Sequence, residues 1–198
     1  MRLYNNIENI QEDKSSNLKA LVIDVFDIVI KALIVILILI TFGIKMCTVV
    51  GDSMLNTLHN DEKLIISNLF YSPREGDIIV FHQTGTFNEP VVKRVIATSG
   101  KWIKIDYDNM ITYVSDDEIF DESDIVDESS YAYFDSGRYD LSGSYKVFVP
   151  KGYIFVMGDN RNNSTDSRFP QIGLVDERTV LGRVIVRLFP LQSFGFVK

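Results

Sequence analysis

Hydrophobic and polar positions change rhythm once along this chain. From Ile28 to Ile44 it reads IVIKALIVILILITFGI, with Lys31 as the only charge. Residues 32–40 carry no polar stripe of the kind that a helix of a soluble domain turns to water. These seventeen residues would span about 25 Å as a helix, against a hydrocarbon core of about 30 Å, and Lys31 can reach the interface along its aliphatic stem. A transmembrane helix over 28–44 is therefore predicted, behind an N-terminal segment 1–27. Asp27 and Lys31 have the i,i+4 spacing of a helical ion pair. A cleaved leader needs a basic start and an Ala-x-Ala-like exit; residues 1–27 are net acidic and no such exit follows Phe42, so the helix reads as uncleaved. Arg2, Lys14 and Lys19 before it balance Lys45, Lys63 and Arg74 after it, so charge does not orient it.

Past the helix the period becomes that of strands. KLIISN, DIIVFHQ, VVKRVIA, KWIKIDY, MITYVS, YKVFVP, YIFVMGD and GRVIVRLFP are short runs rich in Val, Ile, Tyr and Phe. Pro73, Gly76, Gly85, Gly100, Pro150 and Gly152 punctuate them as turns. In Lys101-Trp102-Ile103-Lys104-Ile105 apolar and charged positions alternate, as on a half-buried strand. The fold class expected is mostly β and antiparallel over 45–198, behind the N-terminal helix.

Composition narrows the chemistry. At 198 residues, 46% of them apolar, the chain can bury an ordinary core, and a net charge of −7 argues against a nucleic-acid partner. Between Asp106 and Asp140 twelve acids face one base, Arg138, which reads as a solvated acidic insertion at about 106–146. It has no EF-hand pattern. With one cysteine, Cys47, and two histidines, His59 and His82, neither an internal disulfide nor a Cys/His zinc cluster is available. No metal and no cofactor is implied. A catalytic base, if there is one, must be sought outside imidazole; His59 sits in the polar run LHNDEK and reads as exposed, and His82 ends a strand.

Three segments carry candidate chemistry. VVGDSMLNTL (Val49–Leu58) places a serine after a Gly-Asp turn. VVKRVIATSG (Val91–Gly100) interrupts an apolar strand with Lys93 and Arg94, of which alternation turns one inward unless a bulge intervenes. A buried lysine requires a reason, since burial penalises its charged form. GDNRNNSTDSR (Gly158–Arg168) follows a strand built for burial, and ten of its eleven residues offer a hydrogen bond or a charge. A turn explains Gly, Asp and Asn, but not two Arg, two Ser and a Thr as well.

Together these segments resemble the bacterial type I signal peptidases, membrane-anchored serine proteases of Gram-positive-like type here. The motifs are Gly51-Asp52-Ser53-Met54, Gly76 to Phe81, Lys93 to Ile96, and Gly158 to Arg168, in family order behind the helix. The resemblance implies a Ser–Lys dyad in place of a Ser–His–Asp triad. It makes Ser53 the nucleophile and Lys93 the general base, which must be neutral to accept a proton. It makes Ser164 the serine that hydrogen-bonds the lysine, and Asp159, Asp166 and Arg168 a supporting polar network with an Asp166–Arg168 ion pair. Gly51 stands where some members have a serine that helps bind the oxyanion, leaving its main chain or water as second donor beside the Ser53 N–H. Met54 completes the serine motif. The chain departs from the family at Asn56, Ala97, Ser99 and Lys101, where Pro, Gly, Pro and Asp are usual.

The implied activity is removal of signal peptides from exported preproteins, on the extracytoplasmic side of the cytoplasmic membrane, with the lipid bilayer as a second partner. The alternatives are an assembly factor or dedicated peptidase for pilus subunits, and a self-cleaving Ser–Lys repressor. The last would need a DNA-binding head and an Ala-Gly cleavage site, and the membrane helix and the acidic charge speak against it.

Overall fold

The computed structural model describes residues 2–83, 89–134 and 141–197, with side chains of the first helix described over 19–38 and at Thr41. Gly85, and Asp135, Arg138 and Asp140 of the acidic stretch, lie outside the described residues. The chain divides at Gly43/Ile44 into two compact units.

The first unit is one helix, α1 (Arg2–Gly43). The predicted ion pair is present, Lys31 Nζ lying 2.6 Å from Asp27 Oδ2. Among the described residues no helix is long and apolar enough to cross a membrane. Leu39, Ile40 and Phe42 of the predicted 28–44 span are not among the side chains described.

The second unit is built on strands β1 (Ile44–Thr48), β2 (Lys63–Ser67), β3 (Ile78–Phe81), β4 (Val91–Ala97), β5 (Trp102–Asp106), β6 (Ile111–Ser115), β7 (Ser144–Phe148), β8 (Tyr153–Met157), β9 (Val175–Asp176), β10 (Val180–Phe189) and β11 (Gly195–Phe196). All eight apolar runs named above form strands, β2 to β8 and β10. The sequence pattern misses three. The first, β1, takes Ile44 out of the predicted helix, and β9 and β11 have two residues each, too few to display a period. A large antiparallel sheet runs β1-β2-β10-β3-β4-β8-β9, with β11 on β10, and a smaller one runs β6-β5-β7. The stretch 106–146 thus supplies β6 and the first three residues of β7 to the smaller sheet.

Both faces of the large sheet are covered near β3. Ile78 and Val80 belong to one buried cluster with Met54, Leu58 and Val184, whereas Ile79 and Phe81 belong to another with Val95, Ile154 and Val156. This corrects the expectation that only one of Lys93 and Arg94 turns inward. Both are buried, because a strand packed on two sides has no solvent face to give either of them.

Candidate active site

The loop after β1 is closed by main-chain hydrogen bonds from Val49 N to Glu62 O and from Asp61 N to Val49 O, at 2.8 and 2.9 Å. Inside it residues 54–58 make a tight turn, with Thr57 N and Leu58 N donating to Met54 O at 2.9 and 2.8 Å. Met54 and Leu58 are both buried in the core, which pins the loop and leaves the preceding Ser53 half-buried at its surface. Met54 is thus an apolar anchor. Gly51 enters the loop at φ +85°, where a side chain would be strained, and its N–H donates to Asn60 Oδ1 at 2.8 Å. That N–H is therefore committed within the loop.

Lys93 arrives from β4. Its Nζ lies 2.7 Å from Ser53 Oγ and donates to Val92 O at 2.9 Å. The residue is 3% exposed. Burial pulls the amine down from 10.5 to about 8; the Asp166 and Asp159 carboxylates act against that fall and Arg168 adds to it. Ser53 and Lys93 share a cleft of about 660 Å³ whose walls include Val50, Asp52, Glu89, Val91, Val92 and Asn163. On β4 the partner β8 begins at Arg94, so Val91 and Val92 are paired on the β3 side alone.

The segment 158–168 wraps behind this pair, and most of it is buried. Asp166, 0% exposed, takes Arg168 Nε and Nη2 on its two oxygens at 2.8 Å each, the Gly158 N–H at 2.9 Å and the Ser164 hydroxyl at 2.7 Å. Burial acts to raise its carboxyl, but the Arg168 hydrogen bonds and charge, with those of Gly158 and Ser164, hold it below the usual range. The Asp166–Arg168 ion pair expected from the sequence is present. Ser164 spends its hydroxyl on Asp166, and Lys93 bonds Ser53 and Val92 O, so Ser164 bears on the amine through Asp166 where a direct bond was expected. Asp159 is held bidentately by Arg94 at 2.8 and 2.7 Å and accepts the Thr57 hydroxyl at 2.5 Å. Asn160 ties the segment to the serine, its N–H on Ser53 O at 3.0 Å and its Nδ2 on Asp52 O at 3.1 Å.

Sequence reasoning assigned no role to Arg94, Asn160, Arg161 or Glu128. Arg94 is the partner that a buried Asp159 demands, and the unexplained second cation of VVKRVIA was the available signal. Glu128 corrects the reading of the acidic stretch as wholly solvated: it is 8% exposed and paired bidentately with Arg161 at 2.7 and 2.8 Å. His59, by contrast, is exposed at the rim of the loop, 3.6 Å from Glu62, and His82 is exposed.

A serine hydroxyl thus stands against a buried amine of lowered basicity, within a cleft and braced by buried ion pairs. A family model for signal peptidases, peptidase S26, matches residues 22–189. The chain belongs to that family. It is 33% identical over 174 residues to probable signal peptidase I-1 of Synechocystis sp., an alignment covering 83% of this chain and 81% of that protein. Signal peptidase I P of Bacillus subtilis subsp. natto is 32% identical over 190 residues, 94% of this chain and 99% of that one. Signal peptidase I of Bacillus caldolyticus is 37% identical over 158 residues, covering 74% and 80%. The chain is accordingly a serine peptidase that removes signal peptides from preproteins.

Proposed function

We propose that Ser53 is the nucleophile and Lys93 the general base of this signal peptidase, carried on a catalytic domain spanning 45–198. The observation that carries the reading is the 2.7 Å contact between Lys93 Nζ and Ser53 Oγ, made by a lysine whose burial brings its deprotonation down to about pH 8. The neutral amine takes the hydroxyl proton as Oγ attacks the scissile carbonyl. The resulting ammonium then protonates the departing amine, leaving an acyl ester on Ser53. Water, deprotonated by the same amine, hydrolyses the ester and restores the dyad. The Ser53 N–H serves the oxyanion; with the Gly51 N–H engaged by Asn60, water supplies the second donor. The preprotein lies extended along the open edge of Val91 and Val92, its small −1 and −3 side chains turned into the cleft.

Cleavage of a preprotein in detergent tests this reading. Wild type is expected to cut, and Ser53→Ala and Lys93→Ala to lose activity by roughly a thousandfold or more, with His59→Ala unchanged. Retained cleavage in Lys93→Ala would move the base elsewhere. Cleavage by wild type confined to pilus subunits would make it a dedicated peptidase, and none on any substrate would favour an assembly factor.

The helical residues 28–43 anchor this domain by a single pass at the outer face of the cytoplasmic membrane, with 1–27 in the cytoplasm. Supporting that reading, the consecutive side chains Leu33 to Ile38 are all exposed, each at least half so. At about 100° per residue six such positions encircle the helix, and an apolar surface on every side calls for lipid and not water. The full chain is expected to stay in the membrane pellet after an alkaline carbonate wash; release into the supernatant would remove the anchor.

A further inference from the structure

Glu128 lies in the acidic stretch, away from the four sequence motifs, and yet its carboxylate reaches Arg161 of the segment 158–168 that packs behind Ser53. Arg161 holds it through Nη1 and Nη2, and Thr112 and Tyr131 donate hydroxyls to it at 3.1 and 3.4 Å. The remaining edge of the same guanidinium is directed at the active site, with Arg161 Nε donating to Gly158 O at 2.9 Å. Gly158 in turn packs against the serine without clearance: a Cβ there would stand 2.4 Å from Ser53 O and 2.2 Å from Ser164 Oγ.

The surrounding backbone is laced in the same direction. Tyr133 N donates to Asp159 O at 2.8 Å and Arg161 N to Tyr133 O at 3.0 Å, a parallel bridge between 133 and 160. The Tyr131 ring lies 4.1 Å from the Arg94 guanidinium, which grips Asp159 and through it the Thr57 hydroxyl.

We propose that Glu128 is a positioning residue for the nucleophile: by fixing Arg161 it fixes Gly158 and with it the placement of Ser53 against Lys93. Glu128 touches neither substrate nor Ser53, and acts only through this chain. The inference rests on the reading of Ser53 and Lys93 as the dyad. A buried guanidinium that loses its carboxylate is left with an uncompensated charge, draws water, and no longer holds Gly158 O at a fixed height. The reacting pair then departs from its geometry, while the β4 edge of Val91 and Val92 along which the peptide lies is unchanged.

Steady-state cleavage of a signal-peptide substrate by the full chain in detergent tests this, with thermal melting alongside. Glu128→Gln keeps the shape and one acceptor, and is expected to lower kcat about tenfold; Glu128→Ala lowers it about a hundredfold, the size of a displacement near 1 Å. KM stays within about twofold in both. Glu118→Gln, in the same acidic stretch but paired with Lys146 on the surface, is expected to match wild type. Because Glu128→Gln keeps the side-chain shape while removing the charge and one acceptor, it keeps the test meaningful where the alanine variant fails to fold. A wild-type kcat in folded Glu128→Gln and Glu128→Ala overturns the proposal, as does a loss that only tracks the folded fraction. A wild type that cannot cleave, or a Lys93→Ala that still does, instead overturns the dyad reading beneath it.

Discussion

Lys93→Arg is expected to abolish cleavage at every pH at which the protein is folded. Arginine keeps its proton above pH 12, so the group facing Ser53 Oγ would be a permanent cation unable to accept the hydroxyl proton. The expected loss is roughly a thousandfold, the contribution of a positioned general base. In wild type the same requirement gives kcat/KM an ascending limb: activity rises with pH as Lys93 loses its proton, with a midpoint near its value of about 8. Stability follows with a definite sign. Burial lowers the lysine in the folded state from 10.5 to about 8, so between those values the unfolded chain binds more protons and stability rises with pH. Below about pH 8 both states carry the charge, and its burial costs roughly 3 kcal/mol. Lys93→Met is therefore expected to be inactive yet more stable than wild type at pH 7, by up to that amount in denaturant titration. A variant less stable than wild type would contradict a cation held at a cost, and an active Lys93→Arg would make some other group the base.

Gly158→Ala is the second large effect. One added methyl would sit 2.4 Å from the main-chain oxygen of Ser53, which has no rotamer with which to retreat, as well as 2.2 Å from the Ser164 hydroxyl. The loop carrying Ser53 or the segment 158–168 must therefore shift. Overpacking of this kind costs about 1–3 kcal/mol, and a displacement near 1 Å at the nucleophile costs about a hundredfold in rate. A fall of that size in kcat is expected, together with a lower melting temperature. Normal kcat in folded Gly158→Ala would mean that the two segments are free to move apart, and would undercut the Glu128 chain as well.

Much of this protein was legible because its sequence signals are local. The eight runs that became β2 to β8 and β10 announce themselves by β-branched and aromatic residues between turn residues. The Asp27–Lys31 pair follows from helical spacing alone. Strands β9 and β11 were not legible, since two residues carry no period and pair only where a neighbouring strand offers an edge.

The candidate site divides in the same way. Ser53, Lys93 and the polar segment 158–168 could be singled out from the sequence, the lysine because a cation in an apolar strand demands an explanation. Which partner each buried charge takes was decided by tertiary structure. Arg94 finds Asp159 across 65 residues, Arg161 finds Glu128 across 33, and Ser164 turns to Asp166 and not to the lysine. Glu128 looks in sequence like any of its acidic neighbours and is distinguished only by being covered. The sequence by itself determined which apolar runs had to be buried and which chemistries the side chains could perform, since apolar burial follows local patterning and reactivity follows side-chain type. Tertiary structure alone decided which of the buried charges meet, because that depends on how strands far apart in the chain are paired, and it is this pairing that sets Lys93 against Ser53.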